Sequence, residues 1–316
     1  MSHNSGSTSQ LGPAVPFYDE PAVRKILRYE ELIPAVERAL IDFSSGKVVQ
    51  PVRSILPVER HHGFFGVMPA VYGDIMGAKL VTFAPGNAGA GIPTHQGIIV
   101  VFRAATGEPI AVLDGRLVTE MRTAAVTAAA TKLMADSNAS ALAILGSGVQ
   151  ARAHMQALRL VRHFSEVRVW RRNPDHAHAL AAEIGGTATS AEDAVRGADV
   201  VVTVTHASEP ILFGRWLKPG VLVNAVGAVG LHNREVDDDT MHGAVVVDSS
   251  EAAVVESGEI FLAKATIYGE VGEILAHKKP KPSAGITVFK SLGLAVEDLA
   301  AAKLVIDSIQ SDNRAS

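Results

Sequence analysis

The stretch Ala141–Ala151, ALAILGSGVQA, places the strongest constraint on what this chain can fold into. An apolar run ends at Gly146, and the letters from there to Ala151 have the form G-x-G-x-x-A before a helical pattern begins. A buried parallel strand, a tight glycine turn and a helix N-terminus together form a site for the pyrophosphate of a dinucleotide. The same letters also fit an ordinary strand-helix turn, but the segments on both sides favour dinucleotide binding.

Strand and helix patterns alternate along the chain after this turn. Val167–Trp170, the nearly all-apolar Asp199–Thr205 and Val221–Val226 are typical of strands, and further strands are predicted over 244–248 and 286–289. Apolar strands of this kind are buried on both faces, as in a parallel sheet covered by helices. The pattern therefore predicts an α/β chain with a doubly wound Rossmann domain.

The pattern before residue 136 is different. Five strand-like segments between Gln50 and Asp114 are separated by short turns, which predicts an antiparallel or mixed sheet. The alanine-rich segment Thr119–Ala135 predicts a helix, with Thr119 as its N-cap and Arg122 in its first turn. We therefore predict a disordered tail over residues 1–16, an α+β domain over residues 17–138 that the C-terminal helix of residues 293–316 completes, and the Rossmann domain over residues 139–292.

Composition excludes several classes of protein. The net charge of −4 argues against a general nucleic-acid binder, and the absence of cysteine excludes disulfides and thiolate chemistry. The chain has no run of about 18 apolar residues and its N-terminus lacks an apolar signal region, so we predict no membrane association and a cytoplasmic location. The twelve histidines are scattered, and we predict no metal site.

The end of the second predicted strand indicates which dinucleotide binds. An NAD site carries an acidic residue roughly 20 residues after the glycines, where it binds the ribose hydroxyls. Here that position reads Arg171-Arg172-Asn173. Two arginines in this place are either a solvated turn or a clasp for a 2′-phosphate, and their position at the strand end favours NADPH.

Three cations and one histidine are candidates for the substrate site. Arg53 lies in QPVRS, Lys79 interrupts an apolar strand, and Arg122 lies where a helix N-terminus could help to bind a carboxylate or phosphate. Lys79 is either solvent-facing or aimed into a cleft, and His95 could donate a proton. Their spacing alone does not bring these residues together.

Longer segments resemble a known family. The chain is similar to the ornithine cyclodeaminase/mu-crystallin family over nearly everything after residue 18. The matching segments include FSSG at 43–46, QPVRS at 50–54, GVMPA at 66–70, KLVTF at 79–83, PTHQ at 93–96, RTAAVTA at 122–128, ILGSGVQA at 144–151, GADVVVTVT at 197–205, EPILFGRWLKPG at 209–220, NAVGA at 224–228, VDSSEAA at 247–253, ESGEI at 256–260 and VFKSLGLAVEDLAAAKL at 288–304.

The resemblance implies a Rossmann domain joined to a domain that binds the substrate and forms a homodimer. It implies that Arg53, Lys79 and Arg122 bind a substrate carboxylate, with Thr94 and His95 between substrate and cofactor. The implied cofactor residues are Ser147, Gly148, Val149 and Gln150 at the pyrophosphate after the Gly146 turn, Arg171, Arg172 and Asn173 at the ribose phosphate, Thr205, His206 and Ala207 along the cofactor, and Val226, Gly227 and Ser291 at the nicotinamide.

One departure from the family pattern bears on the reaction. Cyclodeaminases carry an aspartate shortly after the N-A-V-G turn, whereas this chain continues Gly227-Ala228-Val229, and neither alanine nor valine can move a proton. We therefore disfavour ornithine cyclodeamination. The resemblance implies NADPH-dependent reduction of cyclic imines that carry a carboxylate, such as pyrroline-2-carboxylate or piperideine-2-carboxylate. The alternatives are reductive amination of a small 2-oxo acid, as in alanine dehydrogenases, and a non-catalytic protein that binds NADPH or a thyroid-hormone-type ligand.

Overall fold

The computed structural model describes residues 14–87, 89–283 and 285–315. Most of the predicted tail, residues 1–13, therefore lies outside the described residues. The described chain forms one mixed sheet and one parallel sheet, in that order along the sequence. Each sheet is covered by helices, and one buried helix lies between the two.

The first sheet contains seven strands in the order β1-β7-β6-β5-β4-β2, with β3 paired to β4. β1 runs parallel to β7 and the other pairs are antiparallel. The strands are β1 (Phe17–Tyr18), β2 (Val48–Val49), β3 (Ser54–Val58), β4 (Gly63–Tyr72), β5 (Ile75–Phe83), β6 (His95–Arg103) and β7 (Pro109–Asp114). The predicted mixed sheet is confirmed, and short turns explain it because they join neighbouring antiparallel strands directly.

Four helices accompany this sheet: α1 (Glu20–Ile26), α2 (Tyr29–Ser44), α3 (Gly115–Met134) and α11 (Ala295–Ala315). The last helix returns to pack on α2, α3 and strands β4 to β6. The side chains of Met68, Ile75, Ile99 and Leu113 are buried on the sheet face that these helices cover. The domain boundaries given above stay a prediction.

The alanine-rich α3 lies between the two sheets. It packs on α2 and α11 on one side and on helix α4 (Val149–Arg159) and strand β12 (Leu222–Ala225) on the other. Ala124, Ala125, Ala128 and Ala129 are fully buried on different sides of the helix. A helix that is apolar all round has to be buried, and small side chains let its neighbours approach closely.

The second sheet contains eight parallel strands in the order β10-β9-β8-β11-β12-β15-β13-β14. The predicted α/β Rossmann class is confirmed by this topology. The remaining strands are β8 (Ala141–Leu145), β9 (Glu166–Trp170), β10 (Thr187–Ala188), β11 (Val200–Thr203), β13 (Ala244–Val247), β14 (Ile267–Glu270) and β15 (Thr287–Lys290). The remaining helices are α5 (Pro174–Ile184), α6 (Ala191–Val195), α7 (Asp238–Met241), α8 (Ser250–Glu256), α9 (Gly258–Ala263) and α10 (Val271–Leu275), and short 3-10 turns occupy Glu59–His61, Pro85–Asn87 and Gly214–Trp216.

Candidate active site

The carboxyl ends of the parallel strands form one edge of the second sheet. The chain leaves β8 toward β9 and β10 on one side and later returns to β11 and β12 on the other, so the direction of winding changes between β8 and β11. Ligands of doubly wound folds bind outside the strand ends at such a switch point. The predicted cofactor residues other than Thr94 all follow these ends: 146–150 after β8, 171–173 after β9, 205–207 after β11, 226 and 227 after β12, and 291 after β15.

The turn after β8 has the geometry that an anion requires. Gly146 has a φ of +134°, and a Cβ there would lie 2.9 Å from the carbonyl oxygen of Val204. Gly148 is the N-cap of α4, has no side-chain cap, and has open space where a Cβ would stand. The buried Oε1 atom of Gln150 also has no hydrogen-bond partner among the described residues. Free amide groups at a helix N-terminus fit the pyrophosphate of a bound dinucleotide, whereas the unpaired Gln150 oxygen can only accept and would need a donor such as a hydroxyl group of the same ligand.

Arg171 lies directly against this turn. Its Nη1 atom donates a hydrogen bond to Ser147 Oγ over 3.0 Å, and Arg171 and Arg172 are both exposed. Asn173 is occupied differently, because its side chain caps α5 by accepting from the Asp175 amide at 3.0 Å. The structure therefore brings one predicted arginine to the glycine turn and gives the predicted asparagine a capping role.

The three predicted cations converge at the loop that follows β15. Arg53 Nη2 donates to the carbonyl oxygens of Leu292 and Gly293 over 2.7 and 2.9 Å. Gly293 has a φ of +81°, and a Cβ there would overlap the guanidinium of Arg122. Lys79 and Arg122 contact the same carboxylate, that of Asp298, at 2.8 and 3.1 Å. Residues from three distant parts of the sequence thus meet beside the edge of the parallel sheet.

Each of these cations already has a carboxylate partner, which the sequence analysis missed. Arg122 Nη1 lies 2.5 Å from Glu297 Oε2, and Arg53 Nε lies 3.0 Å from Glu256 Oε1. Asp248 accepts hydrogen bonds from the amides of Leu292 and Gly293 at 2.6 and 2.7 Å. Two adjacent acids at the start of an apolar helix, as in AVEDLAAA, were the one sequence signal that could have indicated buried partners.

Lys79 and Arg122 lie deep in the protein, with 3% and 4% of their surface exposed. Burial lowers the pKa of Lys79 to about 8, with a further lowering by Arg122 and an opposing effect from Asp298. The sequence is compatible with a solvent-facing or an inward-facing lysine at this position, and the structure shows it facing inward from β5. A lysine with such a pKa exchanges protons readily near neutral pH.

The expected helix start at Thr119 is wrong. α3 begins at Gly115, and Asp114 caps it by accepting from the amide of Leu117 at 2.8 Å. Arg122 therefore lies two turns inside the helix and gains nothing from the helix N-terminus. Its ability to hold an anion depends on its own guanidinium and on its position beside Gly293.

A row of three aromatic rings connects His95, and with it Thr94, to the residues that follow β11 of the parallel sheet. The rings of His95 and Phe83 are 4.7 Å apart, and those of Phe83 and His206 are 5.6 Å apart. Thr94 Oγ1 lies 3.3 Å from His95 Nδ1. Burial and then the neighbouring His206 lower the pKa of His95, so the ring is neutral at physiological pH. Phe83 thus joins two predicted site residues from different sheets.

A fully buried carboxylate, Glu235, holds the ends of β11 and β12 together. Glu235 Oε1 accepts from the amide and hydroxyl of Thr205 at 2.5 and 2.7 Å, and Oε2 accepts from Thr203 Oγ1 and the Gly227 amide at 2.8 and 2.7 Å. The amide of Glu235 itself donates to Glu259, which pairs with Lys290 at 3.2 Å. Thr205 and Gly227 are predicted cofactor residues, so this buried network holds their backbone in place at the carboxyl edge of the sheet.

Most of the remaining predicted positions are apolar residues, which offer a ligand only their backbone groups and an apolar surface. Val149 is exposed at the start of α4, whereas Ala207 and Val226 are buried. Ser291 Oγ lies 3.4 Å from Asp248 Oδ2. Among the described residues, no three histidine, aspartate or glutamate side chains are grouped so as to bind a metal ion.

Comparison with known proteins gives consistent matches over almost the whole chain. The family model described as the ornithine cyclodeaminase/mu-crystallin family matches residues 17–313. The ketimine reductase mu-crystallin of Mus musculus is 48% identical over 289 residues, which cover 89% of this chain and 92% of that protein.

Two solved structures are similar in fold and sequence. The Delta(1)-pyrroline-2-carboxylate reductase of Thermococcus litoralis, in complex with NADH and L-proline, has a TM-score of 0.89 and 32% identity, and covers 94% of this chain and 98% of its own. An archaeal alanine dehydrogenase dimer with bound NAD has a TM-score of 0.91 and 30% identity, and covers 95% and 97%.

Proposed function

This chain belongs to the ornithine cyclodeaminase/mu-crystallin family, and we propose that it reduces carboxylate-bearing cyclic imines to cyclic L-amino acids with NADPH. The substrates we propose are ketimines such as pyrroline-2-carboxylate or piperideine-2-carboxylate. The observation that carries the proposal is the convergence of Arg53, Lys79 and Arg122 beside the carboxyl edge of the parallel sheet. Relatives named as a ketimine reductase and a pyrroline-2-carboxylate reductase support it.

The cations bind and orient the substrate. Guanidinium groups hold a carboxylate through paired hydrogen bonds, and a clamped carboxylate fixes the adjacent C=N carbon in one position. When bound, the reduced nicotinamide supplies the hydride that this carbon accepts. The imine nitrogen takes a proton, which Lys79 can exchange because burial lowers its pKa to about 8. Val229, in the region where cyclodeaminases carry an aspartate, has no group that could activate water.

The residues that follow β9 support NADPH as the cofactor in preference to NADH. Arg171 and Arg172 are exposed there, with no acidic side chain in the turn, and Arg171 is anchored to Ser147 of the glycine turn. A 2′-phosphate carries charge that two guanidinium groups attract and an aspartate would repel. The two similar structures contain NADH and NAD, so the preference of this chain for NADPH has to be measured directly.

The test is cofactor oxidation followed at 340 nm with pyrroline-2-carboxylate and with piperideine-2-carboxylate, each with NADPH and with NADH. Turnover of a cyclic imine with lower KM for NADPH is the expected result. A reaction that proceeds only with pyruvate and ammonia would replace imine reduction by reductive amination, which the similarity to an alanine dehydrogenase favours as the second candidate. Tight NADPH binding without turnover of any of these compounds would reject both reactions and favour a non-catalytic NADPH-binding protein.

A homodimer is the second part of the proposal. The helices cover one face of the mixed sheet, whereas the other face exposes Phe17, Val49, Leu56, Val71 and Ile98. A continuous apolar face on a sheet is typical of a subunit interface, and the similar alanine dehydrogenase is a dimer. We expect Ile98→Glu to shift the molar mass measured by light scattering from dimer to monomer.

A matched control for the dimer test is Leu160→Glu, which places the same charge at an exposed leucine after α4. That variant should remain a dimer, and a monomeric wild-type chain would overturn this part of the proposal. No helix of the described residues is long and apolar enough to cross a membrane. A cytoplasmic location stays part of the proposal.

A further inference from the structure

The charged groups around the proposed substrate site do not balance. Three cations and four carboxyl groups meet there, and most are almost fully buried: Lys79, Arg122 and Arg53 against Asp298, Glu297, Glu256 and Asp248. With every group ionised, the cluster holds one more negative than positive charge before any substrate enters. An uncompensated charge in a buried site is costly, and a titratable group there takes up a proton in preference to holding the charge.

Glu297 is the carboxyl group best placed to take that proton. It is fully buried at the start of α11, and its Oε2 atom lies 2.5 Å from Arg122 Nη1. Its Oε1 atom is buried without a hydrogen-bond partner among the described residues, so one oxygen is free to carry a hydrogen. Burial raises the pKa of Asp248 and of Glu256 as well, but Asp248 accepts three backbone amides and Glu256 is paired with Arg53 in a less deeply buried place, and both effects favour the ionised form.

The charged groups that face Glu297 come from three elements. Arg122 on α3 attracts a negative charge, whereas Asp248 after β13 and Asp298 on the same helix repel it. Burial is the largest effect, and together with the two aspartates it raises the pKa of Glu297 to about 7 against the opposing effect of Arg122. The group is therefore divided between its two forms near neutral pH.

We propose that binding of a substrate carboxylate to Arg53, Lys79 and Arg122 is coupled to the uptake of one proton, which Glu297 holds. The inference rests on the proposed function, because it takes the carboxylate of the imine as the incoming charge. A second excess negative charge next to Arg122 makes the ionised form of Glu297 less favourable than before. The reduction forms one C–H bond from the hydride and one N–H bond from a proton that Lys79 can donate, and the proton on Glu297 compensates the charge of the bound carboxylate.

Glu297 does not need to touch the substrate for this role. It acts through Arg122, whose guanidinium lies between the acid and the loop at Gly293. Glu297 is therefore a positioning residue that sets the charge of the site. A purely structural role would not change the number of protons bound with a ligand, which is the quantity to measure.

The experiment is calorimetric titration of the NADPH-loaded enzyme with pyrrole-2-carboxylate, a planar anion whose ring nitrogen is not basic and which accepts no hydride. Titrations at one pH in phosphate, HEPES and Tris give the protons taken up per site, from the slope of binding enthalpy against buffer ionisation enthalpy. With a pKa of about 7 for Glu297 in the free enzyme, we expect this group to take up about 0.1 proton at pH 6, about 0.5 at pH 7 and about 0.9 at pH 8, where Lys79, with a pKa of about 8, adds its own uptake. Enthalpies independent of buffer at pH 8 would overturn the inference.

Variants identify the group that takes up the proton. Glu297→Gln should reduce the uptake at pH 7 from about 0.5 to about 0.1 and make the Kd nearly independent of pH between 6 and 7, where Lys79 is already protonated. Glu120→Gln is a matched control on α3, since Glu120 is also a partly buried glutamate with a pKa raised by burial but lies outside the cluster. That control should keep the uptake of the wild type.

Other outcomes separate this inference from the proposed function. Uptake at pH 7 that persists unchanged in Glu297→Gln would assign the proton to another group and contradict the role of Glu297. Turnover of pyrroline-2-carboxylate without proton uptake would reject the inference and leave the reductase proposal intact. Neither turnover nor binding of pyrrole-2-carboxylate would reject both. If Glu297→Gln does not fold, the pH profile of the wild type still decides the inference, because uptake by Glu297 has its midpoint near pH 7 and uptake by Lys79 near pH 8.

Discussion

His154 should make the protein sensitive to acid in a pH range that can be calculated. The residue lies on α4 and is fully buried. Its Nδ1 atom lies 2.7 Å from the carbonyl oxygen of Gln150 and its Nε2 atom lies 3.0 Å from Thr127 Oγ1. Because a carbonyl can only accept, Nδ1 carries the hydrogen and the neutral Nε2 accepts from the threonine hydroxyl. Burial lowers the pKa of His154 to about 4.

The sign and size of the effect follow from this pKa. The folded value of about 4 lies below the ordinary 6.5, so the stability contribution is fully present above pH 6.5 and is lost as the pH falls. At pH 5 the loss amounts to about 2 kcal/mol relative to pH 7.5, and it approaches about 3 kcal/mol below pH 4. Glu297 acts in the opposite sense, since its raised pKa contributes stability below pH 4.5 that is lost as the pH rises through about 7.

The assay compares the free energy of urea unfolding of the wild type and His154→Gln from pH 7.5 to pH 5. Because Glu297 titrates in both proteins, its effect cancels in the difference. The advantage of the wild type over the variant, whatever its size at pH 7.5, should change by about 2 kcal/mol in favour of the variant at pH 5. Parallel curves would refute the argument, and His163→Gln, a change at an exposed histidine beyond the same helix, should leave the pH profile unaltered.

Three further variants test the site. Arg122→Lys keeps the charge that Glu297 and Asp298 require but loses the paired donors, so steady-state kinetics should show a KM for the imine raised about tenfold; an unchanged KM would remove Arg122 from the site. Arg171→Ala should raise the KM for NADPH about tenfold and leave that for NADH unchanged, and equal effects on both would contradict a phosphate contact. Glu235→Gln places an amide against four donors, so urea unfolding should show a loss of about 1–3 kcal/mol, together with a raised cofactor KM.

The part of the site that sequence predicts well is the cofactor edge. The glycine turn, the apolar strands around it and the arginines after β9 are local patterns, and each depends on residues that are neighbours in the chain. In a parallel sheet, the residues that follow each strand all lie at the same edge, where the carboxyl ends of the strands meet. The predicted strand pattern was therefore sufficient to group residues 146–150, 171–173 and 205–207. The roles assigned to these residues stay predictions.

The substrate half could not be predicted in the same way. Lys79 contacts Asp298, and Arg53 contacts Glu256, at sequence separations of about two hundred residues that no local pattern reports. An isolated lysine in a strand, or a glutamate at a helix start, is usually solvated, so nothing in the local pattern indicates that it is buried. The start of α3 was misassigned because Thr119 has a capping side chain, whereas Asp114 at the end of β7 supplies the actual cap.

The loop of residues 291–293 explains why the predicted cofactor residues and the predicted substrate-binding residues lie so close together. Asp248, at the end of one parallel strand, holds the amides of Leu292 and Gly293, which follow another. The carbonyls of the same two residues bind Arg53 from the mixed sheet, and Gly293 lies against Arg122. Ser291, the predicted nicotinamide contact, is thus separated by one residue from Gly293, which lies against two of the predicted substrate-binding residues, Arg53 and Arg122. In the proposed reductase, this short segment would link the cofactor contact to the residues that bind the substrate carboxylate, and both the buried Asp248 carboxylate and the Arg53 guanidinium hold it in place.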